Sequence, residues 1–156
     1  MKRWLLALGV ALAAALPGAA QRYVALTPAQ EMQREAYARW SWLASCDALA
    51  ADLERVGGWE PVYSGAVDNQ PGWETMVYRH TGSARAVQFF FFQRRLAMTL
   101  FVFPAGTDGL LPWLTGAYRL PQSAPNVWMD CAHHATITRR VQDGKLLFLV
   151  EYRPCP

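Results

Sequence analysis

Two periodicities divide this chain, and the boundary between them falls at Gly57-Gly58. Before the glycines, apolar residues recur at helical spacing. Trp42, Cys46, Leu49, Leu53 and Val56 are three or four positions apart, with Leu43 and Ala50 beside them. Thr27 is placed to cap a helix, Pro28 to occupy its first position, and Gln30 to complete a capping box. The pattern predicts one long helix over residues 28–56, about 43 Å at 1.5 Å per residue. Its first half carries only a thin apolar stripe (Met32, Ala36, Trp40) among Gln33, Arg34, Glu35 and Arg39, so it overhangs the core or bends near Trp40.

After the glycines the period drops to two. Strands are expected over residues 60–66, 73–80, 85–92, 96–103, 133–141 and 146–152. Asn69-Gln70-Pro71-Gly72 and Thr81-Gly82-Ser83 are rich in turn residues. Gln142-Asp143-Gly144-Lys145 is a strong hairpin signal because glycine accepts the positive φ such a turn needs. Gln93-Arg94-Arg95 is a weaker one, since nothing there favours positive φ. Short connections imply antiparallel neighbours. The expected fold is therefore α+β: one long N-terminal helix packed on a mainly antiparallel, roughly six-stranded meander, with a long, partly structured insertion before the last hairpin. In architecture this resembles the cystatin or NTF2-like style of a sheet curved around a helix. No family follows from that likeness.

A sheet covered on one face alternates apolar and polar residues, and two strands here do not. Phe89-Phe90-Phe91-Phe92 puts phenylalanine on both faces, and either parity can be the outward one. In the next strand Leu96, Met98, Leu100 and Val102 oppose Ala97, Phe101 and Phe103, with Thr99 as the polar interruption. A helix covers one face of such strands; something else must cover the other. The internal candidate is the stretch 104–131, too long for an ordinary loop and rich in large apolar residues, with a short helix expected over 108–115. It forms a full lid on the second face, or a partial one. A partial lid leaves an apolar cleft for a small hydrophobic ligand, or a patch for a protein partner or a second copy. Phe90, Phe92, Phe101, Trp113, Tyr118 and Trp128 are the candidate contact residues, because aromatic groups bury much area with few rotatable bonds.

The N-terminus changes where such a protein works. Lys2 and Arg3 precede an uncharged apolar run over residues 4–16, Pro17 breaks it, and Gly18-Ala19-Ala20 supplies small residues. This is the layout of a secretory signal cleaved after Ala20. The expected mature chain is one domain, residues 21–156, in the periplasm or outside the cell. No stable membrane span is left after cleavage, and there is no cysteine behind the site to carry a lipid. Losing Lys2 and Arg3 leaves 13 basic residues against 12 acidic ones, a net charge of +1. That balance gives no reason to invoke nucleic acid.

Export permits disulfides, and three cysteines are present: Cys46, Cys131 and Cys155. If the last hairpin closes between Gln142 and Lys145, Cys131 lies opposite Pro156 and beside Cys155. A three-residue loop with Gly144 as a bulge would set it opposite Cys155. Cys131–Cys155 is the favoured pair, with Cys46 a buried thiol on the helix; Cys46–Cys131 is the rival.

Met129-Asp130-Cys131-Ala132-His133-His134 is the one cluster that looks like a site. Cys131, His133, His134 and Met129 are metal-competent. Cys131 with a histidine and an aspartate also has the ingredients of nucleophile, base and orienter. Its spacing matches none of the familiar zinc or thiol-protease signatures, and adjacent histidines on a strand point to opposite faces. No phosphate loop, G-x-S-x-G or H-E-x-x-H occurs, and no cofactor is implied. Leu111-Pro112-Trp113 includes the Pro-Trp pair found in a late hairpin loop of cystatins. The glutamine–valine–glycine loop of such inhibitors is absent from Thr81-Gly82-Ser83. The expected function is an exported, non-enzymatic binding or interaction protein. The alternatives are a small hydrolase or thiol enzyme centred on Cys131 and His133, and a cystatin-like protease inhibitor.

Overall fold

The computed structural model describes residues 44–117 and 119–152, apart from the side chains of Trp113 and Ala117. Its helix α1 is Cys46–Val56, 11 residues long, and it opens with a capped break. Ser45 is extended (φ −81°, ψ 158°), and its hydroxyl accepts a hydrogen bond from the Ala48 amide, with Asp47 in the first turn. At the far end the Gly57 amide donates to the Leu53 carbonyl, with Gly57 at φ 74°. The expected continuous helix over 28–56 is thus corrected: α1 begins at Cys46 because an extended Ser45 interrupts it. Residues 28–43 lie outside the described residues, as do Cys155 and the expected signal at 1–20.

The rest is one eight-stranded sheet in the order β1-β2-β3-β4-β8-β7-β6-β5. The strands are β1 Trp59–Ala66, β2 Trp73–His80, β3 Ala86–Phe92, β4 Arg95–Phe103, β5 Gln122–Ala124, β6 Val127–Asp130, β7 Ala135–Gln142 and β8 Lys145–Tyr152. Every pairing is antiparallel. The roughly six-stranded meander expected from the sequence is therefore wrong in number and in order. Two four-stranded meanders lie side by side, joined by β4 and β8 at the centre. The extra strands β5 and β6 come from the segment expected to be an insertion. Among the described residues, one short α-helix against this wide sheet is also not the cystatin or NTF2-like arrangement of a sheet wrapped around a long helix.

The chain leaves β4 at the centre and re-enters at the far edge as β5, so residues 104–121 must cross the sheet. They cross on the face that α1 covers. Leu110, Leu114 and Leu120 join Leu49 and Leu53 of α1 in one cluster with Met76, Tyr78, Phe89, Phe91, Phe101, Phe148 and Val150. The expectation that this stretch lids the opposite face is overturned. Gly109 makes the crossing tight: at φ +57°, a Cβ there would meet Phe148 at 2.5 Å and Leu146 at 2.9 Å. Only glycine combines that backbone with that approach.

The hairpins separate into easy and strained ones. Gln142 pairs with Lys145 across Asp143-Gly144, both at positive φ (50° and 70°), the two-residue turn the sequence offered. Gln93 and Arg94 adopt the same left-handed conformation (φ 48° and 64°) without a glycine. Neighbours hold them there. The Gln93 amide donates to the Gly72 carbonyl at 2.9 Å, and the Leu96 amide to the Ala44 carbonyl at 2.8 Å. At the sheet's β1 edge, Pro61 and a register shift between Pro61 and Tyr63 blunt the exposed ladder.

Candidate functional site

The register assigns every side chain to a face, since residues directly opposite one another share it. The first face carries the cluster just described. Four rows cross the second face. Arg79, Ala86, Val102, Leu147 and Arg140 form one. Val77, Gln88, Leu100, Leu149 and Thr138 form the next. Thr75, Phe90, Met98, Glu151 and Thr136 form the third. Trp73, Phe92 and Arg95 close the end near the strained turn.

Reading down these rows, β3, β4 and β8 are mostly apolar and β2 is half so, with Trp73 and Val77 beside Thr75 and Arg79, whereas β7 contributes Thr136, Thr138 and Arg140. The second face is thus an apolar field over four central strands with a polar border. Its one internal polar pair is satisfied: the Gln88 amide donates to the Thr75 hydroxyl at 3.0 Å, and that hydroxyl donates to the Phe89 carbonyl at 2.8 Å. Trp73 and Phe92 pack at 5.3 Å between ring centroids. Among the described residues, neither α1 nor the 104–121 segment reaches this face; their buried side chains belong to the first-face cluster.

The candidate contact residues are dispersed by the fold. Phe101 and Trp128 are core residues of the first face, 2% and 4% exposed. Phe90 and Phe92 share the second face, Phe90 buried and Phe92 42% exposed. Tyr118 and the side chain of Trp113 lie outside the description. Missing from the expected set are Val77, Met98, Leu100, Val102 and Leu149, the aliphatic part of the field. Alternation in 96–103 pointed to three of them but put Leu96 on the same side. A register shift between Phe90 and Phe91, which skips Ala97, moves Leu96 to the first face, where it is fully buried.

The Met129–His134 cluster folds into a turn rather than a strand start. Asp130 ends β6 fully buried, and its carboxylate accepts from the His133 amide at 3.3 Å and lies 2.7 Å from His133 Nδ1. These bonds cap a 3₁₀ turn, Cys131–His133, after which His134 reverses the chain at φ 51°. The two histidines therefore flank a turn and do not alternate on a strand, correcting the expected start of that strand at His133.

No disulfide joins two of the described residues. Cys46 is a free thiol, which removes the rival Cys46–Cys131 pair. Cys131 is disulfide-bonded, and Cys155 lies outside the described residues. A sulfur in a disulfide is neither a nucleophile nor a metal ligand, so the thiol-enzyme arrangement lacks its attacking atom. Among the described residues no three of histidine, cysteine, aspartate or glutamate gather as a metal site. Burial pushes the Cys46 thiol up, and the Glu74 carboxylate 3.8 Å away adds to the rise. Pro112 and Trp113 lie in a helical turn crossing the first face, not in a hairpin loop, which takes away the feature behind the inhibitor reading. Comparison with family profiles, curated proteins and solved structures found no match.

Proposed function

We propose that this chain is an exported binding protein that takes a small apolar ligand on the second face of its sheet. The observation that carries the reading is the apolar field over β2, β3, β4 and β8, bordered by the threonines and Arg140 of β7. A solvated antiparallel face is ordinarily polar; this one is apolar and mostly half-buried, with Phe92 exposed, and an apolar patch of this kind suits a ligand. The signal layout of residues 1–20 supports export, with cleavage after Ala20. Cys131–Cys155 is the pairing that the free Cys46 leaves; it ties the C-terminus beside the 3₁₀ turn and stabilises by about 3 kcal/mol in the chain-entropy model.

The test is a native mass spectrum of the protein taken from its exported fraction without reductant. The expected result is a monomer of residues 21–156, two hydrogens lighter than its reduced mass, carrying extra mass that denaturation releases. A bare monomer would overturn the ligand reading. A doubled mass would replace it with self-association, and co-purification of a defined protein with a partner-binding role.

A further inference from the structure

Taking the second face of the sheet as the binding site, the reading on which this step rests, we infer that the ligand is a long-chain carboxylic acid, its head group at Arg140 and its tail along β4. Charge on this face is uneven. Near the Asp143-Gly144 turn, Arg140 of β7 stands opposite Leu147 of β8, and Lys145 stands opposite Gln142. Residues two apart on a strand share a face, so Arg140 and Lys145 are diagonal neighbours on the second face, within reach of one common anion. Asp143 occupies the turn beyond them, and Arg79, across the sheet, is held by Glu60 at 3.3 Å. The opposite end of the face carries one charge of each sign, Glu151 in the third row and Arg95 in the fourth.

Arg140 is exposed, and among the described residues no ion pair involves it. An exposed arginine is ordinary where polar groups surround it. This one borders the apolar rows: Leu147 and Val102 lie in its own row, and Leu100 and Leu149 lie in the next. Leu147 is buried and makes the floor, whereas Val102, Leu100 and Met98 are half-buried. These three alternate along β4 and so line up on the face, making an apolar track about 13 Å long. It starts in the row of the cation and runs toward Phe92, which is 42% exposed.

A wholly apolar ligand on this track would take water from Arg140 and return no partner, which is costly for a charge. A carboxylate returns one. Its two oxygens match the planar guanidinium fork and accept two parallel N–H bonds, a geometry that neither an alcohol nor an ester offers. Lys145 adds a second positive charge, and Thr138, two residues before Arg140 on the same face, adds a hydroxyl donor. The reversed orientation would set the carboxylate beside Glu151, where like charges repel.

The test titrates the mature protein with cis-parinaric acid, a fluorescent long-chain carboxylic acid that is ionised at neutral pH, and with its uncharged methyl ester. The expected result is saturable binding of both, the acid at least about tenfold more tightly, which is what one charge-assisted hydrogen bond is worth. Arg140→Gln should bring the acid down to the affinity of the ester, leaving the ester and the melting temperature unchanged. Equal affinities in the parent protein would overturn the head-group assignment and leave the face as a site for uncharged apolar molecules. Binding of neither probe would overturn both readings together. An acid preference that survives both Arg140→Gln and Lys145→Gln would place the head group elsewhere and overturn the inference. The comparison of acid with ester uses the unaltered protein, so it decides the matter even where a variant fails to fold.

Discussion

On β3, Phe89 and Phe91 point into a cluster closed by Leu49 and Leu53 of α1 and by Leu110 and Leu114 of the crossing segment, whereas Phe90 and Phe92 point to a face that no described element closes. The same four-phenylalanine run therefore serves two different ends. On the first face it is held by close packing: Phe103 meets Phe148 edge-on at 5.9 Å, Tyr78 meets Phe89 at 6.2 Å, and the buried Thr99 hydroxyl donates to Tyr152 at 3.3 Å. On the second face the neighbours are Met98, Leu100 and Leu149, with a polar border supplied by β7. Close packing is concentrated on the first face, and the proposed binding surface is the second.

The contrast is sharpest in single substitutions. Phe89→Ala should cost about 3–5 kcal/mol, as a cavity in a closed core, while Phe92→Ala on the same strand should cost about 1 kcal/mol or less; chemical denaturation of the two variants measures the difference. Gly109→Ala should cost about 2–4 kcal/mol, because its Cβ would press into Phe148 and Leu146 at a left-handed backbone position. Equal stability of that variant would mean that the crossing segment does not sit on the first face. Replacing Gln93-Arg94 by Asn-Gly should raise stability by about 1 kcal/mol, roughly 4 °C in Tm. That gain would identify the turn beside Trp73 and Phe92 as strained. The smallest effect concerns Cys46. With its pKa raised by burial and by Glu74, the thiol is neutral at pH 7 and should be alkylated more slowly than an unfolded cysteine peptide, the rates converging on denaturation.

Much of this was legible along the chain, and the failures have specific physical causes. The stop at Gly57, strands β2, β4 and β8, and the Asp143-Gly144 turn follow from local chemistry, and local chemistry is what a sequence displays. The break at Ser45 was also on display, as Ser-Cys-Asp ahead of a new apolar stripe, but a continuous run of helix formers masked it. Pairing of β4 with β8 was hidden because it joins residues far apart in sequence, where adjacency is the usual guide. Strands β5 and β6, of 3 and 4 residues, are too short to carry a period. The shift that skips Ala97 misplaced Leu96, since one extra residue exchanges the faces beyond it. The aromatic residues drew attention, yet Phe101 and Trp128 serve the core, and the half-buried aliphatic residues of β4 and β8 make up much of the apolar field.

The most direct test titrates an apolar fluorescent dye into the folded mature protein and into Leu100→Glu, a change confined to the second face. The account predicts saturable binding to the parent, weakened at least about tenfold in the variant, an effect of about 1.4 kcal/mol or more, with the cooperative melt retained. Binding that is absent from the parent, or equal in the two proteins, would contradict it.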